Sequence, residues 1–361
     1  FGQQRDCSRV ILRVSESLIP LWRSGRLFES NLKLVSVHAV WMTIIFLAIP
    51  PDLQAQNPQT DVLVFILAGQ SNMEGQGVVD LDHPMYYNSG RGTLLKLAND
   101  PKNRAKMGHV RTPAGDWVVR DDVYCRFVTR NGLKKGPLSI GFAGYPGKHH
   151  IGPEFQFGHV IGDAVDAPVV LIKTAWGGKS LFKDFRPPSA GGETGPYYRQ
   201  MLEEVKTGLD SLEVDFPELK GRNARLAGFV WFQGWNDAFG PEKGRSEYAT
   251  NLVCLIRDVR EEFKSPHLPV VVGELGNGGL KVGANIVAIR EAQRAAVATE
   301  SIKDNASFVS TTAFARAAED SPNKTHGHHW FGNAESYFLI GDALGRAMVE
   351  LMDDTSGPAK P

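Results

Sequence analysis

The residues able to do chemistry fall into a few short blocks. Ser71 stands in Gly69-Gln70-Ser71-Asn72-Met73, directly after the apolar run Val62–Leu67. A serine that leaves a buried strand and enters a loop presents its hydroxyl at the end of a sheet, where an imidazole can take its proton as it attacks a carbonyl. That is acyl-transfer chemistry. The block is not the GxSxG elbow, and position alone also permits a serine that only caps a helix. A tetrahedral oxyanion needs fixed N–H donors. Gly178, in Trp176-Gly177-Gly178-Lys179-Ser180, offers a backbone amide, and Asn236, in Gln233-Gly234-Trp235-Asn236-Asp237, offers a side-chain amide. Three of the ten histidines lie together in His326-Gly327-His328-His329, which supplies imidazole near the chain end.

These blocks need elements to bring them together. From residue 61 short apolar runs alternate with amphipathic segments, the pattern of a parallel sheet covered on both faces by helices. Five strands are expected, at Val62–Leu67, Pro168–Lys173, Leu226–Phe232, Pro269–Glu274 and Ser307–Thr311. Helices are expected at Glu154–Val165, Tyr197–Leu212, Ser246–Phe263, Ala284–Ser301 and Ala334–Met352. The fold class is therefore a three-layer α/β/α domain with a doubly wound parallel five-stranded sheet, over residues 56–354. In such a sheet ligands sit beyond the carboxyl ends of the strands, where the Ser71, Gly178 and Asn236 blocks fall. The interval of about residues 77–150 is too long for a plain crossover and reads as an insertion, with a small hairpin near Trp117–Phe127.

With these blocks in this order, the chain resembles the SGNH hydrolases, specifically the sialate O-acetylesterase-like and acetylxylan esterase-like carbohydrate esterases. The marks are Gly69-Gln70-Ser71-Asn72-Met73, Trp176-Gly177-Gly178-Lys179-Ser180, Trp231-Phe232-Gln233-Gly234-Trp235-Asn236-Asp237, and His329-Trp330 with Ile340-Gly341, over about residues 60–352. The resemblance implies that Ser71 is the nucleophile and His329 its base, with His328 as runner-up. It implies an oxyanion hole of the Ser71 amide, Gly178 and Asn236, with Gln70, Gln233 and Trp235 close to substrate. It also implies a flavodoxin-like sheet, no cofactor, and an acetylated carbohydrate as partner.

The third triad member departs from the family pattern. Many relatives carry Asp three residues before the histidine, but His326 occupies that place, and Trp235 stands where others have Glu after Gln-Gly. Asp237 is the first candidate for the acid, Asp320 the second, and a Ser-His dyad is a third arrangement. Two rival functions follow: a broad lipase or thioesterase on the same scaffold, or a carbohydrate-binding protein that has lost catalysis.

The bulk composition narrows the partners. Lys+Arg and Asp+Glu both total 40, so no net field or basic block draws the chain to nucleic acid or an anionic membrane. Arg23, Arg26 and Lys33 precede an apolar stretch from Val37 to Ile49 and then a polar run to Ala55, the pattern of a signal peptide cleaved near Ala55. That stretch is shorter than the roughly 20 residues that span a bilayer, so no stable membrane span is expected and the mature protein is expected to be secreted or periplasmic. Residues 355–361 read as a tail. No CxxC or HExxH spacing occurs, so no metal site is assigned. Cys125 and Cys254 are too few for a disulfide framework, although they could pair with each other.

Overall fold

A computed structural model describes residues 61–356. The expected signal peptide, its expected cleavage near Ala55 and most of the expected tail lie outside the described residues.

The main sheet has seven strands: β1 (Val62–Gly69), β2 (Val123–Thr129), β3 (Gly132–Pro137), β4 (Val169–Ala175), β5 (Ala224–Phe232), β6 (Val270–Gly273) and β7 (Ala306–Val309). Their spatial order is β3-β2-β4-β1-β5-β6-β7, with every neighbouring pair parallel except the β2–β3 hairpin. The five expected strands form its centre and far side. The expectation of five falls short because the insertion contributes two more.

The sequence hides these two for definite reasons. In β2, Arg126 interrupts an otherwise apolar strand, yet its guanidinium is buried against Asp215 at 2.7 Å. Strand β3 reads Gly-Leu-Lys-Lys-Gly-Pro and lies at the sheet edge, where lysines block further pairing and no apolar run is needed. The small hairpin expected near Trp117–Phe127 is displaced accordingly: it is β2–β3, and it belongs to the main sheet.

Strand β1 is buried along its whole length. Its alternate side chains feed two cores. Val62, Val64 and Ile66 pack with helices α2 (Pro196–Asp210), α3 (Tyr248–Glu262) and α4 (Ala284–Val297). Leu63, Phe65 and Leu67 pack on the other face with α1 (Glu154–Ala164) and α5 (Ala334–Ser356). Burial on both faces explains the near-continuous apolar runs. Among the described residues no helix is long and apolar enough to cross a membrane. Cys125 and Cys254 are both buried and are not bonded to each other.

The chain leaves β1, winds through β2–β4 to one side, then crosses to β5 on the other. The order therefore reverses about β1, which opens a crevice at the carboxyl ends of β1, β4 and β5. Ser71, Gly178 and Asn236 all follow those ends.

Candidate active site

Ser71 opens a single helical turn, Ser71–Glu74, and Gln70 is that turn's N-cap residue, so the serine is not a cap. Met73 is fully buried and roots the turn in the core. Ser71 Oγ is 3.0 Å from His329 Nε2. Among the described residues neither the Ser71 nor the Gly178 backbone amide has another hydrogen-bond partner. Gly178 has φ +77°, a left-handed conformation, and an added Cβ would meet nothing within 4 Å. Glycine is thus required there by backbone conformation rather than by crowding.

Asn236 is oriented by Gln70. The Gln70 amide nitrogen donates to Asn236 Oδ1 at 3.0 Å, which leaves the Asn236 amide nitrogen free to face the cavity. Gln70 Oε1 in turn accepts from the Gly234 and Asn236 backbone amides, at 3.2 and 3.3 Å, and from Gln233 Nε2 at 3.2 Å. One glutamine next to the serine therefore fixes the whole turn after β5.

The imidazole is held by its backbone. Asn72 and Asn277 donate their side-chain amides to the His328 carbonyl at 3.1 and 3.0 Å, and Tyr337 donates its hydroxyl to the His329 carbonyl at 3.3 Å and to Asn72 Oδ1 at 2.7 Å. Trp330 and Phe331 follow with φ of 53° and 55°, two consecutive non-glycine residues in the left-handed region. The Trp330 side chain is buried in the α1/α5 core, which anchors the loop directly after His329. Burial, then the neighbouring His328 and His326, push the His329 pKa down to about 3.

The expected Asp237–His329 pair does not form. Asp237 is buried, and its carboxylate accepts from the Leu181 and Phe182 amides at 2.8 Å each and from Gln233 Nε2 at 2.7 Å. Desolvation raises its pKa to about 6 against these hydrogen bonds. Asp237 braces the second and third blocks against each other and never reaches the imidazole. Asp320 makes no hydrogen bond to histidine either; its backbone carbonyl accepts from Asn333. Among the described residues no carboxylate is hydrogen-bonded to His329. Gln233, expected beside substrate, is likewise buried behind the turn, where it donates to Gln70, Lys179 and Asp237 and accepts from Tyr248.

Ser71, His329, His328, Gly178, Asn236, Gln70 and Trp235 share a cavity of about 640 Å³. The same cavity is also lined by Glu74, Gln76, Arg130 and Tyr145, which sequence reasoning missed. Arg130 comes from the β2–β3 turn and Tyr145 from the loop after β3, segments with no motif to mark them. Tyr145 stacks on His150, with ring centroids 4.2 Å apart, and its hydroxyl donates to Gln76 at 2.5 Å. Glu74 is raised above the usual carboxylate range by burial, with the Gly177 amide and the Arg130 and Lys173 charges pulling the other way. Asn72 lies in the serine block and Asn277 just after the expected strand Pro269–Glu274, but their duty toward the histidine loop required the fold.

The sequence model of the family described as carbohydrate esterase, sialic acid-specific acetylesterase, matches residues 61–350. A probable carbohydrate esterase of Arabidopsis thaliana is 24% identical over 250 residues, covering 67% of this chain and 78% of that protein. A 1.6 Å X-ray structure of an Arabidopsis thaliana protein superposes with a TM-score of 0.51 at 17% identity, over 81% of this chain and 99% of that one. A carbohydrate acetylesterase from Xanthomonas citri gives 0.46 at 16% identity, over 80% of this chain and 55% of its own. The extent of the family match decides the matter: the chain belongs to the carbohydrate esterase family of sialic acid-specific acetylesterases, and its activity is the removal of acetyl groups from carbohydrate.

Proposed function

We propose that this esterase works through an acetyl-enzyme formed on Ser71, with His329 as general base in a Ser-His dyad. The single observation that carries the reading is the 3.0 Å contact between Ser71 Oγ and His329 Nε2 on the wall of the cavity. His329 takes the serine proton as Oγ attacks the acetyl carbonyl. The negative charge that develops on the carbonyl oxygen meets the Ser71 amide, the Gly178 amide and the Asn236 side chain. The protonated imidazole then returns its proton to the departing sugar hydroxyl, and water attacks the acetyl-enzyme in the reverse sense.

The polar part of this lining suits a sugar rather than a long acyl chain. Glu74, Gln76, Arg130 and Asn131 are polar, and Tyr145 and Trp235 add aromatic rings to the lining. Among the described residues Arg130 has no ion-pair partner within 4 Å, so its guanidinium is available to a sugar carboxylate. An O-acetylated acidic sugar, as in sialylated glycans, is therefore the substrate read from this lining. The apolar stretch Val37–Ile49 supports export before the enzyme meets that glycan.

Acetate release by the purified protein and by its Ser71→Ala variant, from acetylated acidic and neutral sugars with chelator present, tests the reading. Activity confined to the parent and highest on acidic sugars is expected. Equal turnover by the variant would refute Ser71 as nucleophile, and a preference for neutral sugars would refute the Arg130 reading. Sequencing of the secreted protein's first residues tests export, with a start just after Ala55 expected.

A further inference from the structure

Lys173 occupies a costly position for a charge. It lies in β4 in register with Leu67 of β1 and Phe127 of β2, and its side chain and that of Glu154 are both fully buried. The ammonium group donates to Glu154 Oε2 at 2.6 Å, to the Phe142 carbonyl at 2.6 Å and to the Glu74 carbonyl at 3.0 Å. Its three N–H donors are thereby all committed. The other Glu154 oxygen accepts the Gly152 amide at 2.9 Å. A Cβ on Gly152 would stand 2.3 Å from Glu154 Oε2 and 3.1 Å from Lys173 Nζ, so the backbone closes directly on the pair.

A buried ion pair is generally no more stable than an apolar pair of the same volume, because each charge loses its hydration. The surroundings here are apolar, with Leu67, Phe142, Phe155 and Leu171 in the same core. What the pair does and an apolar pair cannot do is hold backbone groups from three separate segments. Glu74 is the last residue of the turn that begins with Ser71, and its carbonyl also accepts the Gly144 amide at 3.1 Å. Phe142 belongs to the insertion, close to the cavity wall at Gly144 and Tyr145. Gly152 leads into α1.

We propose that the Lys173–Glu154 ion pair is a positioning device for the reaction, fixing the Ser71–Glu74 turn from beneath so that the serine hydroxyl and amide keep their aim. Neither residue touches substrate. The proposal rests on Ser71 being the nucleophile.

A fluorophosphonate probe reports that aim directly, because it reacts with an activated serine whatever the sugar. The serine oxygen bonds to phosphorus, fluoride leaves, and the proton passes to the imidazole. Lys173→Met alone strands a buried carboxylate, so the informative variant is Lys173→Met with Glu154→Gln, whose amide oxygen still accepts from Gly152. In the full chain, this double variant is expected to melt cooperatively and to label Ser71 roughly 10- to 100-fold more slowly than the parent, with kcat for acetyl esters falling in parallel and KM moving less than about threefold. A folded double variant that labels and turns over within about twofold of the parent would overturn the proposal. A double variant that fails to fold would overturn it as well, since the pair would then be a requirement of folding. Absence of label on Ser71 in the parent would remove the nucleophile assignment itself, a result separable from either outcome in the variant.

Discussion

The turn after β5 and the histidine loop both line the cavity at the serine, and they are immobilised by different means. After β5, side chains do the work: Gln70, Gln233 and Asp237 link to one another and to the Leu181, Phe182, Gly234 and Asn236 amides. In the histidine loop, the anchors are backbone carbonyls gripped from outside by Asn72, Asn277 and Tyr337, with two strained residues following. The carboxylate that a triad would place behind its imidazole sits in the first region, where it braces the strand ends. On the proposed reading the catalytic pair is a dyad, its imidazole oriented by the loop instead of by an acid. Such a base is weaker than a triad histidine, because no negative charge stabilises its protonated form.

The largest test of this contrast is deletion of the base. His329→Ala is expected to lower kcat for acetyl esters by roughly three orders of magnitude or more, and His328→Ala by far less, since His328 contributes its carbonyl to the tether whatever its side chain. Comparable losses in both would dissolve the distinction. Asn236→Ala removes one oxyanion donor and should cost about 10²- to 10³-fold in kcat with KM nearly constant. A rise in KM at unchanged kcat would make Asn236 a binding residue instead.

Asp237→Asn divides the two regions most cleanly. Both Asp237 oxygens accept from N–H donors, and an amide NH2 in place of either one meets a donor, so the melting temperature should drop, by an amount reflecting about 1–3 kcal/mol. Its effect on kcat should stay near tenfold or below, whereas a triad acid would cost about 10⁴-fold. A loss of that larger size would return Asp237 to catalysis. The smallest effect is one of pH. The His329 pKa is pushed to about 3 from an ordinary 6.5, so the imidazole remains neutral, and able to accept a proton, as pH falls through 6.5. Measured on Asp237→Asn, which removes the carboxyl that titrates near 6, the acid-side fall of kcat/KM should lie below pH 6.5. A fall centred at or above 6.5 would show an acid partner raising the imidazole.

The same contrast explains what could be read in advance. The five central strands were legible because burial on both faces writes apolar runs into the sequence, and Ser71, Gly178 and Asn236 because each follows such a run within a compact block. Strands β2 and β3 were not, since a buried Arg126–Asp215 pair and a lysine-bearing edge both break that pattern. Asp237 looked catalytic because its block is local and its type is right; that its carboxylate faces Leu181 and Phe182 depends on a loop more than fifty residues away in sequence. Arg130 and Tyr145 carry no local signature, because only the path of the insertion brings them to the serine.

The central claim is the covalent step at Ser71 driven by His329. Acid-quenched enzyme, sampled during turnover of an acetyl ester and digested for mass spectrometry, tests it most directly. The account predicts an acetyl group on Ser71 in the parent and in Asp237→Asn, and none in His329→Ala over the same interval. An acetyl group on a different residue, or turnover with no covalent adduct under conditions that trap one on other serine esterases, would contradict it.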